Sequence, residues 1–238
     1  MENVRGRTPF NELQYAGPEH LDPEYVVGYD HKARTDPGDD LKLLRTRGLG
    51  PSSTVVDFGA GTGTFALAAA ELGCRVVAVD VSPAMLQALR AKLDRSGLAN
   101  VEPVHAGFLS YEAPASTVDF VYTRNALHHL PDFWKAIALQ RVAQMLRRGG
   151  VLLLRDLVYS FSPERADQVF RAWLAEAPPS AEGWVDARGA RDAHPYRVQH
   201  VQLAARADAR TRRFRHRGRG PCALARLQQI PLSQGVTG

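Results

Sequence analysis

The sequence predicts an α/β fold, doubly wound around a mainly parallel sheet, with helices on both faces and the last strands of the sheet missing. Three observations carry that expectation. Apolar runs of strand length alternate with helical stripes between Leu41 and Arg155, an order that builds parallel sheets rather than hairpins. Four of the five runs are rich in Val, Leu or Phe, as strands covered by helices on either side require. After Trp184 the alternation stops and no apolar run of strand length follows.

Residues 1–40 are polar with scattered aromatics (Phe10, Tyr15, Tyr25, Tyr29) and read as a cap segment holding short helices. Residues 41–184 form the expected main domain. Leu41 to Leu49 is a helix closed by Gly48 and Gly50, and strands are expected at 54–58, 75–79, 101–104, 118–122 and 151–155. Ser82-Pro83 supplies an N-cap and a first-turn proline for a helix striped by Met85, Leu86, Leu89 and Leu93, with Gly97 as its stop. Asp132 caps the next helix, striped by Ile137, Ala138, Val142, Met145 and Leu146. Arg147 and Arg148 suit its last turn and Gly149-Gly150 its end. Ser162-Pro163 opens a final helix to about Glu176, broken by Pro178-Pro179.

Composition narrows the class. The 238 residues, 45% hydrophobic and 23% charged, suit one domain with a substantial core. No apolar run approaches the ~20 residues of a membrane helix, and the first residues lack the apolar stretch of a secretory signal. Cys74 and Cys222 offer neither a disulfide framework nor a metal site. A cytoplasmic protein with no membrane partner is expected. The net charge of +5 is unevenly spread. Residues 185–238 hold eleven Arg and three Asp, a net +8, whereas the first 184 residues carry 19 basic and 22 acidic groups, a net −3. The main domain therefore has no field for nucleic-acid phosphates.

The chemistry concentrates at Thr54-Val55-Val56-Asp57-Phe58-Gly59-Ala60-Gly61-Thr62-Gly63. A strand there runs into a turn of three alternate glycines, with a carboxylate two residues before the first. Such a turn lets a ligand lie against bare backbone. Asp80 ends the next apolar run, Arg75 to Val79. A glycine turn with an acid at the end of the second strand selects a nucleoside-bearing cofactor. A dinucleotide fingerprint needs its third glycine where Thr64 stands, and Asp57 is unusual there, so a nicotinamide dehydrogenase is disfavoured.

The pattern resembles the first motif of the class I S-adenosylmethionine-dependent methyltransferases. The similarity continues through Asp80-Val81-Ser82-Pro83-Ala84-Met85-Leu86 and through Val118-Asp119-Phe120-Val121-Tyr122-Thr123-Arg124-Asn125-Ala126-Leu127-His128-His129-Leu130, which is similar to the fourth-strand motif of the small-molecule branch. It extends to Met145-Leu146-Arg147-Arg148-Gly149-Gly150-Val151-Leu152, where Arg148 replaces a usual proline. The resemblance covers about residues 41–160. It implies a Rossmann-like sheet and S-adenosyl-L-methionine as cofactor. The methionine carboxylate is expected at the N–H groups around Gly59 to Gly63, Ala60 and Gly61 among them, and at the helix start beyond, the ribose at Asp80, and the adenine near Val81 and Phe108. Asp57, Met85 and Asn125 complete the implied cofactor-binding set. Asp57 also reads as a residue that holds the loop, and Asp80 as a helix cap. Many relatives carry an acid in the loop after strand three to accept the adenine amine. Here that loop is His105-Ala106-Gly107-Phe108-Leu109, without a carboxylate.

Methyl transfer from a sulfonium is an in-line displacement, so positioning and exclusion of water matter most. A base is needed only for a protonated acceptor. His128, His129 and Asn125 follow strand four, where ligands gather in open parallel sheets, and are the catalytic candidates. Packing within the loop is the competing role for His128, and capping competes with acceptor contact for Arg124 and Asn125. Tyr15, Tyr25, Tyr29 and His31 are candidates for a lid. No Asn-Pro-Pro-Tyr run follows strand four, which argues against the branches that methylate amino groups of nucleic acids and glutamine side chains. A small organic acceptor is expected. A non-catalytic cofactor-binding remnant is the alternative.

Residues 185–238, the Arg-rich tail, lack the apolar surface to offset ordering entropy and read as disordered. They also read as a shifted frame of a GC-rich gene. Arg191 to Pro195 written CGA-GAC-GCA-CAT-CCG gives Glu-Thr-His-Ile one base later. A basic arm that binds nucleic acid or an anionic membrane is the competing view.

Overall fold

The computed structural model describes residues 10–30, 36–156, 161–176 and 203–206. The chain divides into two compact units, residues 1–155 with 202–238 and residues 156–201. Within the described residues of the second unit, a 3₁₀ turn at Pro163–Arg165 leads into a helix, Ala166–Glu176, close to the span the Ser162-Pro163 signal predicts.

The first unit is built on one six-stranded sheet. Its strands are β1 (Thr54–Phe58), β2 (Arg75–Asp80), β3 (Val101–His105), β4 (Val118–Arg124), β5 (Leu146–Arg155) and β6 (Leu203–Arg206), in the order β3-β2-β1-β4-β5-β6. The first five are parallel and β6 is antiparallel to β5. Its helices are α1 (Pro23–Val27), α2 (Gly38–Thr46), α3 (Thr64–Glu71), α4 (Pro83–Ser96) and α5 (Asp132–Met145).

Alternate residues of each central strand feed two cores. Val55, Val76, Ala78, Phe120, Tyr122 and Leu153 pack with Leu44 of α2, Phe65 and Ala69 of α3 and Leu86 and Leu89 of α4. Val56, Phe58, Val79, Val121 and Leu152 pack with Ala138, Val142 and Met145 of α5 on the other face. Both faces are covered, which is why the strands are apolar throughout. Val118 shares a core with Val121, three residues on, because the β4–β5 register shifts between Val118 and Phe120 and resets the alternation.

Helix boundaries follow local chemistry where caps exist. Ser82 accepts the Met85 N–H at 3.1 Å and Gly97 takes a left-handed φ of 69°, so α4 starts and stops where its sequence says. Two expectations need correction. Asp132 is the first residue of α5, with Pro131 in the cap position, and its carboxylate meets Lys135 at 2.9 Å. The helix also stops at Met145. Leu146 is already extended, pairs with Val118 and begins β5 with Arg147 to Gly150. The carbonyls of Gln144 and Met145 accept from Ser116 and Thr117, so pairing with the chain ahead of β4 takes over from the helical turn.

The tail contributes one strand that its composition conceals. Leu203 to Arg206 lies beside Leu154 to Val151. An edge strand needs backbone pairing and no apolar face, and β5 presents an open edge to receive it. The rest of the tail, with the disorder and shifted-frame expectations, lies outside the described residues.

A buried carboxylate ties α2 to the ends of β4 and β5. Asp40 has no exposed surface. It accepts the Tyr122 hydroxyl at 2.8 Å and lies 2.6 Å from Arg155 Nε and 3.6 Å from Arg124. The Arg155 contact is close but off the hydrogen-bond axis. Removing one partner of a buried ion pair leaves the other charge uncompensated. Asp40→Ala is expected to lower stability by ~3–5 kcal/mol in urea denaturation, and a loss below ~1 kcal/mol would show that the arginines find other partners.

Candidate functional site

β1 and β4 are neighbours from which the chain departs to opposite sides of the sheet. That order opens a crevice at the carboxyl ends of the strands, the place where ligands bind in such sheets. A cavity of about 100 Å³ lies there. Gly59 and Gly61 form one wall, Asp80, Val81, Ser82 and Met85 a second, and Ala106 to Phe108 a third. Arg124 to Ala126 and His129 contribute from the end of β4 and the segment after it, and Glu12, His20 and Tyr29 come from the N-terminal segment.

The three glycines of the turn do different work. A Cβ on Gly59 would fall well inside 3.0 Å of Ala126, and one on Gly63 would strike Leu89 of α4. Those two glycines let the turn pack against the segment after β4 and against α4. A Cβ on Gly61 would meet only Tyr29 and the Met85 sulfur, near 4 Å, so this is the glycine that leaves room for a ligand. The turn also uses its own donors. Gly59 and Ala60 N–H both bond the Val79 carbonyl, Gly63 N–H bonds the Ala60 carbonyl, and Gly61 N–H bonds Asp80. These four N–H groups, expected together with the helix start beyond to meet a carboxylate, are thus engaged within the protein. The turn's contribution is close approach.

Asp80 is 8% exposed and gives one oxygen to Gly61 N–H at 2.7 Å and the other to Ser82 N–H at 2.8 Å. Asp80 thus borders the cavity and, by accepting the N–H of the cap residue Ser82, also holds the start of α4. Burial pushes its pKa up, opposed by the two backbone bonds and by His20 and His105. Each oxygen keeps lone-pair capacity, so the pair suits a vicinal diol such as a ribose. Asp57 stands behind the turn, outside the cavity lining, with a buried Oδ2 that has no partner among the described residues. Desolvation, and then the charge of Asp80, push its pKa well up.

The N-terminal segment is clasped over the crevice at three points. Glu12 accepts the Leu109 N–H at 3.1 Å and the Ser110 hydroxyl at 3.0 Å. Ser82 donates its hydroxyl to the His20 carbonyl at 2.6 Å. Asp30 meets Lys92 at 2.5 Å and accepts the Thr62 hydroxyl. Tyr29 borders the cavity, and burial pushes its pKa up to about 12, which keeps its hydroxyl protonated. Tyr25 and Tyr29 pack around His20, whose ring centroid lies 5.9 Å from that of His129. Tyr15 stacks on Phe10 away from the cavity lining, and His31 is outside the described residues.

Of the residues expected at the site, Gly59, Gly61, Asp80, Val81, Met85, Phe108, Asn125 and His129 line the cavity. Asp57, Ala60, Gly63 and His128 do not. His128 stands against His129, with centroids 4.1 Å apart. Asn125 adopts φ 52°, a left-handed conformation that asparagine tolerates better than most residues. Sequence reasoning missed Glu12 and His20, because nothing local distinguishes a charge on a polar segment until the fold brings it to the sheet. The walls suit a nucleoside with a sulfonium side chain in chemistry: a diol acceptor at Asp80, bare backbone at Gly61 and an aromatic floor at Phe108. In volume the cavity falls below the ~300–1,000 Å³ of ordinary ligand sites.

Burial raises the Asp57 pKa above its unfolded value, so the unfolded chain loses its proton first as pH rises. The native state then loses stability from the ordinary carboxylate range up to the folded pKa. Asp57→Asn, which carries no charge at any pH, is expected to match wild type near about pH 4 and to melt a few degrees higher near about pH 8. A Tm difference independent of pH would contradict a titrating Asp57.

Comparison with known proteins agrees with this geometry. A family described as a methyltransferase domain matches residues 55–150. An uncharacterized methyltransferase of Geobacillus sp. strain WCH70 is 29% identical over 152 residues, covering 64% of this chain and 67% of that protein. The ribosomal protein L11 methyltransferase of Thiobacillus denitrificans is 37% identical over 134 residues, covering 56% of this chain and 42% of that one. The chain thus spans about two thirds of the first relative's length and less than half of the second's. Among solved structures, Haemonchus contortus phosphoethanolamine N-methyltransferase 2 in complex with S-adenosyl-L-methionine superimposes with a TM-score of 0.55 over 67% of this chain and 39% of that one. At 21% identity that likeness speaks for the fold. From the glycine turn, the acid closing β2, the strand order and these matches, the chain belongs to the class I S-adenosylmethionine-dependent methyltransferases.

Proposed function

We propose that the crevice binds S-adenosylmethionine with its ribose on Asp80 and transfers the methyl group to a small organic acceptor by in-line displacement, in the cytoplasm. The observation that carries this reading is the Asp80 carboxylate, held by two backbone N–H groups on the wall of a cavity that also contains His129 and Asn125. When bound, the cofactor supplies a methyl group already activated on a sulfonium. The chain's part is to orient and enclose. Asp80 fixes the ribose, Gly61 admits the chain that bears the sulfur, and Val81 and Phe108 flank the base. Tyr29 and His20 exclude water from above. His129 faces the cavity and takes the proton of a protonated acceptor, with Asn125 orienting that acceptor. The net −3 of the first 184 residues supports a small molecule over a nucleic acid.

Calorimetric titration with S-adenosylhomocysteine tests the cofactor placement. Wild type is expected to bind and Asp80→Ala to weaken binding by ~10–100-fold, the cost of charged hydrogen bonds to two hydroxyls. Equal affinities would place the ribose elsewhere. A folded wild type that binds but turns over no acceptor in a screen would favour a binding remnant.

The two histidines make separate predictions for whichever acceptor that screen identifies. His129→Ala is expected to lower kcat/KM by ~10²-fold or more, whereas His128→Ala stays within a few-fold of wild type. Equal losses would assign the pair a packing role.

A further inference from the structure

The loop after β3 has no acid of its own, yet the cavity wall it forms does contain a carboxylate. Glu12 reaches that wall from 97 residues away in sequence and is 8% exposed. The space it fills is specific. A Cβ built on Gly107 would lie well inside 3.0 Å of the Glu12 Oε1, Cδ and Oε2 atoms together. Any side chain at Gly107 would evict the carboxylate, so the glycine here makes room rather than supplying backbone freedom. The same carboxylate bonds the Leu109 N–H and the Ser110 hydroxyl, the groups an acid at the head of this turn would hold itself. Glu12 and Asp80 are the two acidic residues among those lining the cavity.

We infer that Glu12 reads the base of the bound nucleoside, its carboxylate taking the place of the missing loop acid and accepting from the exocyclic amine of adenine beside Phe108. This assignment rests on the cofactor placement proposed above. It has a consequence that an acid within the loop would not. Glu12 is also a clasp of the N-terminal segment, so a ligand carrying the amine holds that segment closed and a ligand lacking it does not. Base recognition and enclosure of the reaction become one event.

The test compares S-adenosylhomocysteine with S-inosylhomocysteine, which has a carbonyl oxygen where adenine has its amine. Wild type is expected to prefer the adenine compound by ~10-fold or more, since a carboxylate accepts from the amine and repels the carbonyl. Glu12→Gln, whose amide can both accept and donate, is expected to reduce that preference to near unity, measured by calorimetry on one folded preparation. The double variant Glu12→Ala, Gly107→Asp moves the acid back into the loop and is expected to restore the preference, which a purely structural clasp would not do. A preference unchanged in Glu12→Gln, or equal losses for both ligands, would overturn the role of Glu12 while leaving the cofactor site intact. Failure of wild type to bind S-adenosylhomocysteine would overturn both.

Discussion

Burying a carboxylate without donors costs more than most single contacts return, and the described residues of the first unit bury four. Asp40, Asp57, Asp80 and Glu12 are each at most 8% exposed. Asp40 is compensated by a tyrosine hydroxyl and two arginines, Asp80 by two backbone N–H groups, and Glu12 by a backbone N–H and a serine hydroxyl. Those partners come from different elements, so satisfying the acids also sets where α2, the glycine turn, the β3 loop and the N-terminal segment sit. Asp57 is the exception, with one oxygen left without a partner among the described residues.

The glycine turn shows how that constraint reaches function. Four of its N–H groups, those of Gly59, Ala60, Gly61 and Gly63, bond within the protein, to the Val79 and Ala60 carbonyls and to Asp80. A loop so satisfied is stiff, and stiffness is what a site built on positioning needs. The other groups that border the crevice are largely side chains, several of them from the N-terminal segment. Its three clasps, at Ser110, Ser82 and Lys92, lie on three successive walls of the crevice or the helix beside it.

Much of this was legible in the sequence. The Val-rich strands, the Ser82 cap, the Gly97 stop and the spacing from Gly59 to Asp80 depend on residues close in the chain, and their local chemistry survives folding. The α5–β5 junction was not legible, because Leu146 continues the apolar stripe of the helix while its backbone pairs with Val118. Nor was β6, since an edge strand is selected by the neighbour's open backbone rather than by its own side chains.

The sequence by itself determined the doubly wound class, the cofactor family and the places of Asp80 and the glycines. Only the tertiary structure decided which glycine opens toward a ligand, that His129 and not His128 lines the cavity, and that Glu12 fills the hollow left by Gly107. The physical reason is range. Periodicity and caps act over a few residues, whereas a carboxylate that completes a site across 97 residues is placed by packing and by the cost of leaving its charge without donors.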